Sequence, residues 1–271
     1  MTVGGPRGEV TVAEPRRPVC VVTGAASGIG RAVAEIVAER GGAVVAVDTS
    51  TEGLSWCVDH PRVSVLVGDV TDPAVNAEAV ARAEADYGRL DSLVLNAGVP
   101  ASGPLEELDM AVFDRSIEVN LRAVALGVRA AVPALRRAGG GSVVVTASAT
   151  AFGGEADRWP YAAAKAGVVN MARSFAIDLA ASAIRVNAVC PGPIETGMTR
   201  RIADTAPERY EELRRMVPLQ RWGTAGEVAE VAAFLLSDAA SFVTGAAIPV
   251  DGGATCGSGQ SAPPFVAREA L

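Results

Sequence analysis

A tyrosine and a lysine four residues apart, Tyr161 and Lys165, follow thirteen residues after Ser148. Residues separated by four positions on a helix lie on one face, one turn apart. The intervening Ala-Ala-Ala favours a helix. A free tyrosine, with a pKa of about 10, is a poor base at neutral pH. A neighbouring ammonium favours the phenolate and brings the phenol toward the range useful for acid–base catalysis. Ser148 is then placed to hold a reacting oxygen. Taken alone the pair also fits a surface lysine beside a half-buried tyrosine, so the rest of the chain must decide its meaning.

A second chemical feature lies near the N-terminus. Thr23-Gly24-Ala25-Ala26-Ser27-Gly28-Ile29-Gly30 follows an apolar β-branched run and opens a helical stretch. Glycines let a backbone turn sharply and approach a pyrophosphate, and a helix N-terminus presents free N–H groups to phosphates. The spacing is Gly-x-x-x-Gly-x-Gly, and no Gly-Lys-Ser/Thr follows as in a P-loop. Asp48 ends the next β-branched run, eighteen residues after Gly30. A carboxylate there can accept hydrogen bonds from ribose hydroxyls and would repel a 2′-phosphate. Thr49, Ser50 and Thr51 follow with no basic residue, and Ser27 is not basic either. NAD is therefore expected rather than NADP, with Arg31 as the reservation.

These residues need a scaffold, and the pattern supplies one. Strands are expected at Val19–Thr23, Ala43–Asp48, Val63–Val67, Ser92–Asn96, Ser142–Thr146, Ile184–Val189 and Ala247–Val250. Most are apolar on both faces, as in a parallel sheet covered by helices on each side. Helices are expected between them at Ile29–Arg40, Ala74–Tyr87, Phe113–Ala138, Tyr161–Ala181 and Glu227–Ser237. This alternation predicts an α/β fold, a Rossmann-like doubly wound parallel sheet of about seven strands. One oxidoreductase domain over 18–253 is expected, between a flexible arm (1–17) and a tail (254–271) whose Phe265–Val266 could dock on this or a neighbouring subunit. The charged excursion 193–223, with a polar helix at Ala206–Met216, is read as a substrate lid, because it follows the sixth strand near the ligand-binding edge.

Composition narrows the classes further. The 271 residues are 49% hydrophobic with a net charge of −7, which argues against a nucleic-acid binder. There is no apolar run of membrane-spanning length, so no transmembrane helix is expected, and residues 1–17 have no hydrophobic segment, so no signal peptide is expected. Cys20, Cys57, Cys190 and Cys256 have no paired spacing, so free thiols and a cytoplasmic location are expected. The single histidine, His60, excludes a multi-histidine metal centre, and no metal is expected.

In order and spacing, the motifs resemble the short-chain dehydrogenase/reductase family from about residue 18 to 253. They are Thr23-Gly24-x-x-x-Gly28-Ile29-Gly30, Asp69-Val70, Asn96-Ala97-Gly98, Asn120, Ser148, Tyr161-x-x-x-Lys165, Pro191-Gly192 and Val250-Asp251-Gly252-Gly253. The resemblance implies Tyr161 as general acid/base and Lys165 as the group that lowers its pKa and holds the nicotinamide ribose. It implies Ser148 as the orienter of the substrate oxygen and Asn120 as the holder of a relay water. Asp69-Val70 would flank the adenine and Asn96-Ala97-Gly98 the adenosine ribose. Pro191-Gly192, Ile194 and Thr196 would hold the carboxamide. A homotetramer is the family expectation.

The implied activity is hydride transfer between NAD(H) and a secondary alcohol or ketone of small size. A catalytically inactive dinucleotide-sensing regulator remains an alternative, as does an NADPH-using reductase of 3-oxoacyl or polyketide-type substrates. Epimerase-like relatives usually carry longer substrate domains. The pocket is expected to draw on Ala149–Pro160 and the lid, with Phe152, Trp159, Met198, Ile202 and Met216 as apolar surface and Glu155 as a polar contact.

Overall fold

A computed structural model describes residues 17–257, apart from the side chains of Met198 and Arg201. Expectations for 1–16, for the tail beyond 257 including Phe265–Val266, and for the Met198 side chain lie outside the described residues. Seven parallel strands form one sheet in the order β3-β2-β1-β4-β5-β6-β9. They are β1 (Val19–Thr23), β2 (Ala43–Asp48), β3 (Val63–Val67), β4 (Ser92–Leu95), β5 (Gly141–Thr146), β6 (Ile184–Pro191) and β9 (Ala247–Val250). The order reverses between β1 and β4, so a crevice opens at their C-terminal ends, where doubly wound sheets bind ligands.

Alternation along the strands divides the core in two. Val19 and Val21 face one layer with α2 (Pro73–Tyr87), α4 (Ala123–Arg137) and α5 (Trp159–Leu179). Cys20 and Val22 face the other with α1 (Gly28–Glu39) and α8 (Ala225–Leu236). Both faces of β1 are thus dry, which explains its unbroken apolar run. Each fully buried valine or leucine contributes about 1.5–3 kcal/mol before chain entropy is subtracted.

Three local departures from the sequence pattern bear on the site. The expected helix Phe113–Ala138 begins earlier, as α3 (Met110–Ile117), because the Asp109 carboxylate caps it by accepting from Ala111 N at 3.0 Å. A π-helical turn over Glu118–Arg122 then separates α3 from α4. The excursion 193–223 holds two helices rather than one. The unforeseen α6 (Gly197–Thr205) starts at a Thr196/Thr199 capping box, and α7 (Pro207–Met216) follows it. A two-residue ladder between β7 (Ile194–Glu195) and β8 (Gly223–Thr224) closes the base of this excursion. Tyr210 stacks on Trp222 with centroids 4.4 Å apart and donates to Glu195 Oε1 at 2.7 Å.

Candidate active site

The strand ends bring the singled-out residues together. Ser148 lies just past β5 with an extended backbone, and its Oγ accepts from Thr150 N at 3.2 Å. Tyr161 is in the first turn of α5, and Lys165 follows one turn later on the same face. The Lys165 ammonium is buried, stands 5.5 Å from the Tyr161 ring centroid and donates to Thr146 O of β5 at 2.8 Å. The Ser148 hydroxyl favours the ionised form of the Tyr161 phenol.

The electrostatics differ from the expectation in one respect. Desolvation raises the Tyr161 pKa above its ordinary value and outweighs every opposing effect. The cation that most favours the phenolate is the Arg158 guanidinium, followed by the Ser148 hydrogen bond, while Glu155 acts against it. Burial brings the Lys165 ammonium itself down to about 8, with Cys190 opposing the shift. Beside it the Cys190 thiol is pushed up to about 12, chiefly by burial, and behaves as a small apolar group.

A buried lysine with a lowered pKa has a signature in stability. In the folded chain it titrates near 8, and unfolded near 10.5. Between those values the unfolded chain binds more protons, so stability rises with pH. Below 8 both states hold the proton and the cost of burying the charge is fully present. Between pH 7 and 10, the unfolding free energy of wild type should rise more than that of Lys165→Met, by up to about 3 kcal/mol. Parallel denaturant titrations of the two proteins measure the difference, and equal slopes would exclude a depressed lysine.

Asn120 occupies the π turn and is fully buried. Its Oδ1 accepts from Val99 N at 3.1 Å, and its Nδ2 donates to Val99 O at 3.0 Å and to Ser116 Oγ at 3.1 Å. A side chain so engaged ties the helix to the loop after β4. Gly98 lies between this amide and the lysine: a Cβ there would fall 2.8 Å from Asn120 Oδ1 and 3.6 Å from Lys165 Nζ. Asn120, Gly98 and Lys165 are thus brought together.

The glycine turn is shaped by contact as much as by torsion. Gly24 and Gly28 have φ of 68° and 56°, in the left-handed region that suits glycine. Asn96 Nδ2 donates to Thr23 O at 3.3 Å, and Thr23 Oγ1 accepts from Asn96 N at 3.0 Å and Ala97 N at 3.2 Å. The Thr23 hydroxyl therefore fixes Asn96-Ala97 against the turn, a role its place in the motif did not reveal. Ser27 is the N-cap of α1 yet makes no side-chain cap bond, and Ile29 packs against the core at the start of the helix. A Cβ at Gly28 would stand 3.4 Å from Thr196 Cγ2, so the glycine turn and the start of α6 face each other.

Gly192 N donates to Val250 O at 3.1 Å, which fixes the Pro191-Gly192 turn against β9, and Ile194 is buried beyond it. Asp48 accepts from Ala26 N at 3.1 Å and Ser50 N at 3.0 Å, so its carboxylate is oriented at the rim of the turn. Arg31 is directed elsewhere. Its Nε donates to Glu35 Oε1 at 2.8 Å and its guanidinium lies 5.3 Å from the Trp56 ring centroid. Asp69 accepts from Thr71 N and Thr71 Oγ1 and pairs with Arg115 at 2.9 Å. These bonds hold its carboxyl below the usual range, the Thr71 backbone N–H first. Val70 is buried, and its carbonyl accepts from Asn76 Nδ2 at 2.7 Å.

Around the Tyr161 end, Trp159 stacks on Phe113 at 5.4 Å and is fixed in the wall, whereas Phe152 and Met216 are exposed. Ile202 is half-buried, and Glu155 lies 3.7 Å from Arg158. Arg158 had no signal in the sequence: nothing in Arg-Trp-Pro-Tyr predicts a guanidinium over the phenol.

The site combines a glycine turn at a helix N-terminus, an acidic strand end and a Ser–Tyr–Lys group across the crevice. Such an arrangement can hold a dinucleotide and exchange a proton beside it. A family profile described as "Enoyl-(Acyl carrier protein) reductase" matches residues 24–255. The chain belongs to the short-chain dehydrogenase/reductase family, whose members use nicotinamide dinucleotides. It is 45% identical over 244 residues to cis-4-hydroxycyclohexanecarboxylate dehydrogenase of Sinomonas cyclohexanicum, covering 88% of this chain and 96% of that one. It is 41% identical to the 3-oxoacyl-(acyl-carrier-protein) reductase of Thermotoga maritima, covering 87% and 96%. Among solved structures, levodione reductase superposes with a TM-score of 0.83 at 37% identity, covering 89% of this chain and 98% of that one. No helix among the described residues is long and apolar enough to cross a membrane.

Proposed function

We propose that this oxidoreductase is an NAD(H)-dependent secondary alcohol dehydrogenase or ketoreductase with Tyr161 as its general acid/base. The observation that carries the reading is the Ser148–Tyr161–Lys165 group gathered past the end of β5 and on the first turns of α5. The residues fit a dinucleotide. Gly24, Ser27, Gly28, Ile29 and Gly30 would receive the pyrophosphate, and Asp48 the adenosine ribose. Val70, Asn96, Ala97 and Gly98 would border the adenosine, and Pro191, Gly192, Ile194 and Thr196 the carboxamide. Asp69 would border the adenine with a carboxylate already committed to Thr71 and Arg115.

When bound, the nicotinamide supplies the hydride acceptor or donor. Ser148 and Tyr161 hold the substrate oxygen and share its developing charge during oxidation. Tyr161 takes the hydroxyl proton. Lys165, anchored on Thr146 O, would hold the nicotinamide ribose, and Asn120 would position the loop behind it. The excursion 193–223 would cover the substrate. The dehydrogenase relative, whose name denotes a hydroxylated ring, supports an alcohol or ketone on a compact skeleton.

Asp48, with Arg31 engaged by Glu35 and Trp56, supports NAD. Asp48→Asn should raise the NAD KM and lower the NADP KM, narrowing the NAD preference by about tenfold through loss of charge repulsion. Steady-state assays of both proteins with both cofactors, on a panel of cyclic and open-chain ketones, oxo acids and their methyl esters, test this. Wild-type preference for NADP would defeat the Asp48 argument. The similarity to the Thermotoga reductase supports a second reading, a 3-oxoacyl reductase using NADPH, and a 3-oxoacyl thioester in the panel distinguishes it.

A further inference from the structure

Arg158 breaks the local rules of its position. It is the N-cap of α5, a place that favours Ser, Thr, Asp or Asn, and it supplies no side-chain cap. It also sets a cation at the positive end of a 21-residue helix, where the peptide dipoles oppose it. Asp157, immediately before it, takes a left-handed φ of 60°, and its carbonyl accepts from Gly103 N at 2.8 Å. The backbone entering the helix is thus held in a conformation that a non-glycine residue rarely adopts, beside the reactive tyrosine.

The guanidinium that results is under-used. Its Cζ lies 4.9 Å from the Tyr161 ring centroid. Among the described residues, its Nε is buried without a hydrogen-bond partner. The nearest carboxylate, Glu155, stands 3.7 Å from that nitrogen, too far for a hydrogen bond. The side chain is 35% exposed, so it is partly withdrawn from water yet reachable by a ligand beside Tyr161. Arg221 gives the contrast: it meets Glu227 through two nitrogens at 2.9 and 2.5 Å. A planar donor fork left open beside a reacting centre suits a planar carboxylate.

We propose that Arg158 binds the carboxylate of the substrate, so that the enzyme acts on a hydroxy or oxo acid whose reacting carbon faces Tyr161. This rests on the oxidoreductase reading above and narrows its substrate class. Glu155 tempers the site: it competes for the same guanidinium and repels a second carboxylate, which keeps the acid exchangeable. Because Arg158 stands over the tyrosine, a compact skeleton spans the two groups.

The test compares oxo acids with their methyl esters in wild type, Arg158→Gln and Arg158→Lys. The acid should be preferred by wild type, and Arg158→Gln should raise its KM about 50-fold, the value of a charge-assisted hydrogen bond. Because Arg158 also acts on the Tyr161 phenol, kcat should shift alike for acid and ester, whereas the ester KM should change little and Arg158→Lys should restore part of the acid preference. Equal changes of KM for acid and ester, or esters used as well as acids by wild type, overturn the proposal. Calorimetric titration of the oxo acids into NAD-loaded Tyr161→Phe, with and without Arg158→Gln, needs no turnover. Acid binding that vanishes with Arg158→Gln supports the proposal even if the panel shows no turnover and the oxidoreductase reading fails. No acid binding, or binding indifferent to Arg158, sinks it while leaving measured turnover of neutral ketones intact.

Discussion

Tyr161→Phe is expected to lower kcat about a thousandfold, the scale of a lost general acid/base, while NAD binds close to its wild-type strength. The substitution removes one oxygen from a half-buried ring and leaves the packing of α5 unchanged. The pH dependence sharpens the test. Oxidation needs the phenolate and reduction needs the phenol. Desolvation keeps the phenol's pKa above its ordinary value. Wild-type oxidation should therefore keep rising into alkaline solution, whereas reduction should already be full at neutral pH and decline as the phenol ionises. Residual activity of the variant should lose this dependence. Stopped-flow nicotinamide absorbance across pH measures both, and wild-type turnover by the variant would dismiss Tyr161 as the proton carrier.

Gly30→Ala is expected to weaken NAD binding at least about 100-fold and to destabilise the fold by about 1–3 kcal/mol. Its added Cβ would lie 2.2 Å from the Gly24 carbonyl oxygen and 2.5 Å from Asn96 Nδ2. The first of these is backbone, which cannot swing aside as a flexible side chain would. Relief requires moving the turn away from the helix, and with it the N–H groups aimed at the pyrophosphate. Fluorescence titration of NAD and a thermal melt report the two effects separately. A variant with unaltered NAD affinity would show that the turn does not hold the dinucleotide. Gly88→Ala offers a control, since a Cβ there meets nothing within 4 Å and its φ of 80° confines the cost to local strain.

Much of the architecture was legible because most strands are apolar on both faces and the glycine turn of Gly24–Gly30 falls at a strand end. Val19–Thr23, Ala43–Asp48 and Val63–Val67 have the bounds that alternation and turn residues suggest. The helix Gly197–Thr205 was hidden because its arginines and threonines mask any apolar stripe. Its start depends on a capping box between two threonines, a pair less distinctive than Ser/Thr with Glu.

In the site, Tyr161 and Lys165 could be paired by helical spacing, and Asp48 by its place after a strand. The placement of the Arg158 guanidinium over Tyr161 could not be read, because an arginine three residues before a tyrosine carries no signature of that contact. Nor could the Thr146 carbonyl that anchors Lys165, since a backbone oxygen carries no residue signature. The Thr71 and Arg115 contacts of Asp69 join residues 2 and 46 positions away, and only the fold brings the second near.

The π turn at Glu118–Arg122 also has a rotational meaning. One residue beyond the α-helical count turns everything that follows by about 100° around the helix axis. Before it, α3 packs on α5, with Phe113 stacked on Trp159. After it, α4 packs on α2 and β4, with Ala123, Val124 and Gly127 turned inward. The turn is therefore a phase shifter between two apolar stripes. Deleting one residue within it would bring one stripe out of register with its neighbour and move Asn120 off Val99, coupling the loss of packing on one face to the loss of loop geometry beside Lys165.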